Sequence, residues 1–479
     1  MYEPVIGLEI HAQLLTHTKI FCGCRTCFGD PPNTHVCAVC AGLPGALPVL
    51  NRGAVDLAVR AALSLGCRIN ARSEFARKNY FYPDLPKGYQ ISQYDQPLAS
   101  EGLVEIAGAG APVRVAITRV HMEEDAGKSL HEGFHDSAQR TYIDYNRSGV
   151  PLIEIVTEPD LRSAADAATF FETLRRLLVW LGVNDGNMEE GSLRCDANVS
   201  VRPSGTDMLG TKAEVKNLNS FRHLQKALDY EIARQIDLLA EGGRVVQETR
   251  LWDPAAARTV AMRSKEEAHD YRYFPEPDLP PLVFSAARVA ALAEALPELP
   301  HVRRARFVAE YGLPEEDAGE MTRSRALAEY FEETARHAGN AKAARDWIMG
   351  ELSRTLNERG VEIDQAGITP EALAGLVRLV DGGAINSTTA KTVFEKMYGT
   401  GRSAAEIVRR EGLAQISDED ALATIVRDVM SAQPEAVAQY RAGKAASFGF
   451  LVGQVMKATA GKASPKVVNE LLRREIERG

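Results

Sequence analysis

The sequence predicts an α+β domain followed by one or two helical domains, and three observations carry that fold class. Up to about residue 275 the pattern is mostly period two, broken by Gly, Asn and Asp turns, as strands require. Between Pro275 and Pro300 stand six prolines, including Pro280 and Pro281, which read as a linker or rigid strap around one short helix at Ala286 to Ala295. After His301 the chain turns Ala-rich with helical spacing, as in Ala341 to Arg359 and Asp418 to Met430. Gly382-Gly383, the cap Asn386-Ser387-Thr388 and Gly399 to Gly401 act as stops and starts.

The first element is a strand. Ile6, Leu8, Ile10, Ala12 and Leu14 alternate with Gly7, Glu9, His11 and Gln13, so Glu9 and His11 share one face. Next come Cys22-x-Cys24-x-x-Cys27, a nine-residue loop holding Pro31, Pro32 and Asn33, and Cys37-x-x-Cys40. Two close pairs across a Pro-rich turn can give four thiolates to one structural, tetrahedral zinc. A disulfide framework suits small secreted domains instead, and free thiols are rarely so crowded. Spacing leaves two ligand sets open, Cys24/Cys27/Cys37/Cys40 and Cys22/Cys24/Cys37/Cys40. Cys67 and Cys195 stand apart and read as small core residues.

From Arg77 to Asp95 the chain is too polar and Pro-broken for a core strand and too aromatic for a linker. Its interleaved Lys78, Tyr80, Tyr82, Lys87 and Tyr89 read as a recognition loop for nucleic acid or a partner. An apolar stretch from Val113 to Val120 then ends in the acidic cluster His121 to Ser129, whose loop can add a metal ligand. Alternation returns at Leu193 to Arg202, placing Arg194, Asp196 and Asn198 on one face, and at Lys212 to Lys216, placing Glu214 beside the two lysines.

If these strands share a sheet, its polar surface gathers carboxylates, an imidazole and lysines. One reading is a sheet with one solvated side. The other is a hard-cation and phosphate site, with Asp and Glu oxygens on Mg²⁺ and Lys or Arg neutralising transferring phosphate. His11 is atypical for Mg²⁺, which leaves it a role as base or as support for a ligand. Two motifs fail. Gly127-Lys128-Ser129 lacks the upstream glycine of a P-loop, where Met122 stands, and His131-Glu132-Gly133-Phe134-His135 sits among loop formers where HExxH chemistry needs a helix.

With 479 residues, 45% hydrophobic and 25% charged, the chain can fill about two to four cores. No apolar run reaches a membrane span, and the N-terminus shows no basic region before an apolar core, so no export signal and a cytoplasmic location are expected. The net charge of −9 is uneven: Tyr440 to Gly479 holds eight Lys/Arg against three Asp/Glu. Lys444, Lys457, Lys462 and Lys466 there, spaced among Gly449, Gly453 and Gly461, suggest a phosphate-binding end, although a solvated helix face is the commoner meaning.

Gly7-Leu8-Glu9-Ile10-His11, the run from Lys78 to Gln93, Asp144 to Ile155, Gly191 to Ser200 and Tyr271 to Asp278 together resemble the GatB family, the B subunits of bacterial tRNA-dependent amidotransferases. The resemblance runs end to end. It implies a cradle-shaped, mainly antiparallel-sheet catalytic domain with a zinc knuckle at 1–292, a helical domain at 293–402 and a YqeY-like tRNA-binding tail at 403–479. It implies ATP-dependent phosphorylation of the side-chain carboxylate of Glu-tRNA(Gln) or Asp-tRNA(Asn), then amidation by ammonia from glutamine. The partners implied are an amidase A subunit, a small C subunit and misacylated tRNA. By resemblance Mg²⁺ falls to Glu9, His11, Glu124, Asp196 and Glu214, with Glu123 and Glu190 as substitutes. Lys216, Arg194 and Asn198 become candidates for phosphate, Lys78 and Lys87 for the ammonia route or the acceptor end, and Cys22, Cys24, Cys37 and Cys40 for zinc, leaving Cys27 as an extra thiol. The competing class is a non-catalytic zinc-knuckle RNA-binding scaffold, which would consume no ATP.

Overall fold

The computed structural model describes residues 2–108, 110–133, 135–264, 271–415, 419–459 and 461–478. The chain divides into two compact units, Met1–Leu299 and Pro300–Gly479. The first opens with β1 (Tyr2–Gln13), α1 (Arg52–Ser64), β2 (Arg68–Ile69), β3 (Arg72–Ser73), β4 (Ala76–Asn79), β5 (Tyr89–Ser92), β6 (Ala99–Ile106) and β7 (Val113–Glu124). It continues with β8 (Lys128–Leu130), β9 (Tyr142–Asp144), β10 (Pro151–Thr157), α2 (Ala164–Trp180), β11 (Leu193–Pro203), β12 (Ala213–Lys216) and α3 (Phe221–Ala240). It closes with β13 (Glu248–Asp253), β14 (Arg258–Ser264), β15 (Phe274–Pro275), β16 (Leu282–Val283) and α4 (Ala286–Glu294).

A nine-stranded sheet in the order β14-β13-β12-β11-β1-β10-β7-β6-β2 organises this unit. Its neighbours are antiparallel except β12 and β13. In β1 the expected apolar set Ile6, Leu8, Ile10 and Ala12 is buried, as is Leu14 just past its end. The same core takes Ala58 and Val59 from α1, Phe170, Phe171 and Leu174 from α2, and Leu224 and Leu228 from α3. Helices cover one face, and the other is left to polar side chains. Reading the first 275 residues as mostly strands misses these three helices, which are amphipathic and are capped by the Asn51, Ser163 and Ser220 side chains.

The stretch from Arg77 to Asp95 is not loop throughout. Its ends pair as β4 and β5, with β15 on the outer edge of β4, and the tip presents exposed Phe81 and Tyr82. Arg77 fixes this small sheet by donating to Glu276 at 2.7 and 2.9 Å and to Asp278 at 3.0 Å, with its guanidinium 4.2 Å from the Tyr89 ring. Residues 131–133 and 135 are not helical, His135 is exposed, and Phe134 lies outside the described residues.

Glu231 of α3, with no exposed surface, locks the far end of the sheet. Its carboxylate accepts from Arg234 at 2.6 Å, Gln235 at 2.9 Å and Thr259 at 2.8 Å, and lies 3.2 Å from Arg250. Burial pushes the carboxyl up, but these hydrogen bonds outweigh it and hold it below the usual glutamate range. A depressed folded value means the contribution is complete above the unfolded value of about 4.3 and is lost as pH falls through the folded one. Glu231→Ala is expected to destabilise the first unit by about 3 kcal/mol or more, leaving Arg250 buried against β14; a denaturation midpoint unchanged at pH 7 would refute this.

The second unit is helical: α5 (Pro300–Tyr311), α6 (Glu315–Met321), α7 (Arg325–Ala338), α8 (Ala341–Trp347), α9 (Ser353–Arg359), α10 (Pro370–Asp381), α11 (Ser387–Thr400) and α12 (Ala404–Arg410). The helix expected over Ala341 to Arg359 is α8 and α9 joined by a π-helical turn, Ile348–Leu352. Asn386 caps α11 as its sequence suggested, accepting from Thr389 N at 2.9 Å. Helices α13 (Glu419–Ala432), α14 (Pro434–Arg441), α15 (Ala446–Ala458) and α16 (Pro465–Arg478) share a core of their own around Leu422, Val426, Leu451, Val455 and Leu472. Asp418, expected to open this helical stretch, lies outside the described residues. A boundary at 292/293 falls inside α4, which is tied to α1 by an Arg288–Asp56 ion pair at 2.7 Å and belongs to the first unit.

Candidate active site

Strand register builds the site. His11 of β1 stands opposite Glu154 of β10 and Arg194 of β11, Glu9 stands opposite Asp196, and Glu154 stands opposite His121 of β7. Asn198 faces Glu214 of β12. Period-two alternation therefore turns one row of polar side chains from five strands onto the uncovered face. A cleft of about 540 Å³ opens there, lined by Glu9, His11, Lys78, His121, Glu123, Glu154, Asp196, Glu214 and Lys216, with Tyr271 and Tyr273 at its wall.

Two clusters occupy it. In the first, His11 Nε2 lies 3.3 Å from Glu154 and 3.9 Å from Glu123, while His121 Nε2 lies 3.5 and 3.7 Å from the same two carboxylates. Burial works against a charged His11 imidazole, but the Glu154 and Glu123 carboxylates outweigh it and push it up to about 9. Burial would raise Glu154, yet the adjacent His121 and His11 hold its carboxyl well below the usual range. In the second, Lys216 Nζ sits 2.8 Å from Asp196 and 3.5 Å from Glu214. Burial opposes its charge, and the Asp196 and Glu214 carboxylates more than restore it, so the ammonium is held above the usual lysine range. Ligand atoms of His11, Glu123 and Glu154 lie within 4.8 Å of one another, close enough to share one cation.

Not every expected residue joins them. Glu124 follows Glu123 in β7 and turns to the other side. Its carboxylate takes Lys87 Nζ at 2.5 and 2.6 Å and Ile91 N at 2.9 Å, beside a separate cavity of about 250 Å³ that reaches Cys22 and Cys40. Lys87 is spent there too, whereas Lys78 reaches the cleft, 5.0 Å from the Tyr271 ring. Arg194 donates to Asp125 at 3.1 Å. Asn198 donates to Glu9 at 2.8 Å, and its buried Oδ1 has no hydrogen-bond partner among the described residues. Glu190 lines a different groove, with Cys27 and Asp30. Sequence reasoning passed over Glu154, although its alternation with buried Ile153 and Ile155 was visible, and it placed the cluster from His121 on a loop, whereas His121 to Glu124 belong to β7.

The cysteines separate cleanly. Cys22, Cys24, Cys37 and Cys40 bring their sulfurs within 4.8 Å of one another, while Cys27 joins Asp30 and His35. A hydrogen bond from Cys22, with the Lys19 ammonium 3.6 Å away, draws the Cys40 thiol well below the usual cysteine range. Four thiol sulfurs converging on one point match the donor set of a structural zinc site.

Residues 4–290 match the GatB/GatE catalytic domain, and residues 329–476 match the GatB domain. The chain belongs to the GatB/GatE family. Within that family it is 54% identical over 475 residues to a protein of Carboxydothermus hydrogenoformans, covering 99% of each chain. It is 55% identical over 477 residues to one of Thermoanaerobacter sp., covering 100% of each, and 53% identical over 476 residues to one of Chlorobium phaeobacteroides, covering 99% of each. All three relatives are named as the B subunit of an aspartyl/glutamyl-tRNA(Asn/Gln) amidotransferase. Among the described residues of this GatB/GatE member, no helix is long and apolar enough to cross a membrane.

Proposed function

We propose that this chain is the B subunit of a glutamine-dependent, cytoplasmic carbon–nitrogen ligase that amidates Glu-tRNA(Gln), Asp-tRNA(Asn) or both, working with an amidase A subunit and a small C subunit. The observation that carries the proposal is one cleft, in a member of this family, where carboxylates and imidazoles from β1, β7, β10, β11 and β12 stand beside the Lys216 and Lys78 ammoniums. In the first half-reaction a side-chain carboxylate oxygen of the aminoacyl group attacks the γ-phosphorus of ATP and ADP leaves. In the second, ammonia attacks the acyl carbon, the C–O bond to phosphate breaks, and the nitrogen sheds a proton to give the amide.

Phosphoryl transfer asks the protein mainly for position and charge neutralisation. Glu9, Asp196 and Glu214, with His11, Glu123 and Glu154, would hold Mg²⁺, whose chemistry is to neutralise the phosphate oxygens. Glu123 takes the place given to Glu124 from sequence. Lys216 balances Asp196 and meets the phosphate; Asn198 orients Glu9, and Arg194 secures Asp125. Zinc in the four-cysteine knuckle would brace the neighbouring loop without chemistry. ATP turnover by the reconstituted complex tests the proposal: consumption that rises with misacylated tRNA is expected, and a complex that binds this tRNA without consuming ATP would favour the scaffold.

The tail adds affinity. Lys444, Lys457 and Lys466 are exposed, and Gly449 and Gly453 open α15 to close approach. Lys-to-Ala changes at these three positions are expected to raise KM for misacylated tRNA and to flatten its salt dependence by roughly one logarithmic unit for each phosphate no longer neutralised, with kcat unchanged. Tight binding by the triple variant at several salt concentrations would reduce the basic tail to a solvated helix face.

A further inference from the structure

Cys27 is outside the four-thiol cluster, yet it is not alone. Its Sγ donates to Asp30 Oδ2 at 3.2 Å and lies 3.6 Å from His35 Nε2, and that same nitrogen lies 2.6 Å from the same Asp30 oxygen. One imidazole nitrogen serves both neighbours, so this is no relay of nucleophile, base and orienting carboxylate, in which the two ring nitrogens face different partners. Three ligand atoms of three chemical types converge on one point.

The loop carrying them is fastened from outside. His35 N donates to Asn146 Oδ1 at 2.8 Å and His35 O accepts from Lys19 at 2.7 Å. Asn33 N donates to Asp144 Oδ1 at 3.0 Å, and Asn33 Oδ1 accepts from Tyr145 N at 2.8 Å. Cys27 and Asp30 face a groove of about 800 Å³, so a fourth position would be open to solvent.

We propose that Cys27, Asp30 and His35 form a second metal site, separate from the four-cysteine knuckle, that takes a thiophilic divalent cation of the zinc type with one position left for water. A sulfur, a nitrogen and a carboxylate oxygen suit zinc and not magnesium. The cation replaces the protons that now join the three groups: the thiol proton and the proton on His35 Nε2 leave to solvent, or the latter moves to Nδ1 when the ring is already neutral, and the neutral imidazole then binds through Nε2 with its remaining proton on Nδ1.

Zinc content of the purified full chain, equilibrated with buffered free zinc and washed, tests this against Cys27→Ser and His35→Gln. Cys27 is exposed and the tethers of His35 are backbone atoms, so both variants keep the loop. Each variant is expected to hold one zinc fewer per chain than the parent, and the reading is this difference, whatever the knuckle holds. Cobalt titration gives a second measurement, with a thiolate-to-cobalt absorption band for the additional equivalent that Cys27→Ser lacks. Equal zinc in all three proteins at saturation, or an additional cobalt equivalent with an undiminished thiolate band in Cys27→Ser, would overturn the site.

Discussion

Asp196→Ala is expected to cut tRNA-dependent ATP consumption by the assembled complex by about 10²- to 10³-fold or more, the cost of removing one preorganised electrostatic group from a transition state. The fold should persist. Lys216 loses its 2.8 Å partner but keeps Glu214 at 3.5 Å, and Ala197 and Cys195, which anchor β11 in the core, are untouched. Glu9→Ala, which also frees the Asn198 amide, should behave alike. Glutamine hydrolysis by the amidase partner should survive in part, which separates loss of the cleft from loss of the assembly. An Asp196→Ala complex with unaltered ATP turnover and a native melting profile would remove this residue from the chemistry.

Cys40→Ser should have the largest effect on stability. Zinc binding contributes about 10 to 16 kcal/mol in zinc-finger peptides, part of it consumed in ordering the loop. Cys40 is buried beside Lys19, which has no exposed surface and whose other partners are the carbonyls of His35 and Tyr145. Losing the thiolate removes a metal ligand and an anionic neighbour of that ammonium. The expected result is one zinc lost per chain and a Tm lower by roughly 5 °C or more. Full zinc retention by Cys40→Ser, measured by elemental analysis, would exclude the four-cysteine set.

Much of the cleft was legible because alternation states which residues share a face: Glu9 with His11, and Asp196 with Arg194 and Asn198, follow from period two alone. Register is not local. That His11 meets Glu154 depends on β10 pairing with β1 across more than 140 residues of chain, and no pattern within either strand announces it. The three helices under the sheet were hidden for another reason, since their start signals are single Asn or Ser caps that also mark turns. The ligand set of the knuckle was undecidable by spacing, because Cys22, Cys24 and Cys27 all lie close enough in sequence; the loop fastened by Asn33 and Asn146 carries Cys27 away from the others.

Glu123 and Glu124 are adjacent in the chain yet serve different compartments, one the cleft of His11 and the other the cavity of Lys87. Such an arrangement makes β7 a strand whose length is under parity selection. Inserting or deleting a single residue upstream within the paired strand would exchange the two carboxylates between compartments and turn Val115, Ile117 and Val120 out of the core at once. Loops on either side can change length over generations, whereas this strand can change only by whole pairs of residues or by a bulge that restores the phase. The pairing of β10 with β7 has such a bulge at Val156/Thr157, beyond the rows that hold the carboxylates.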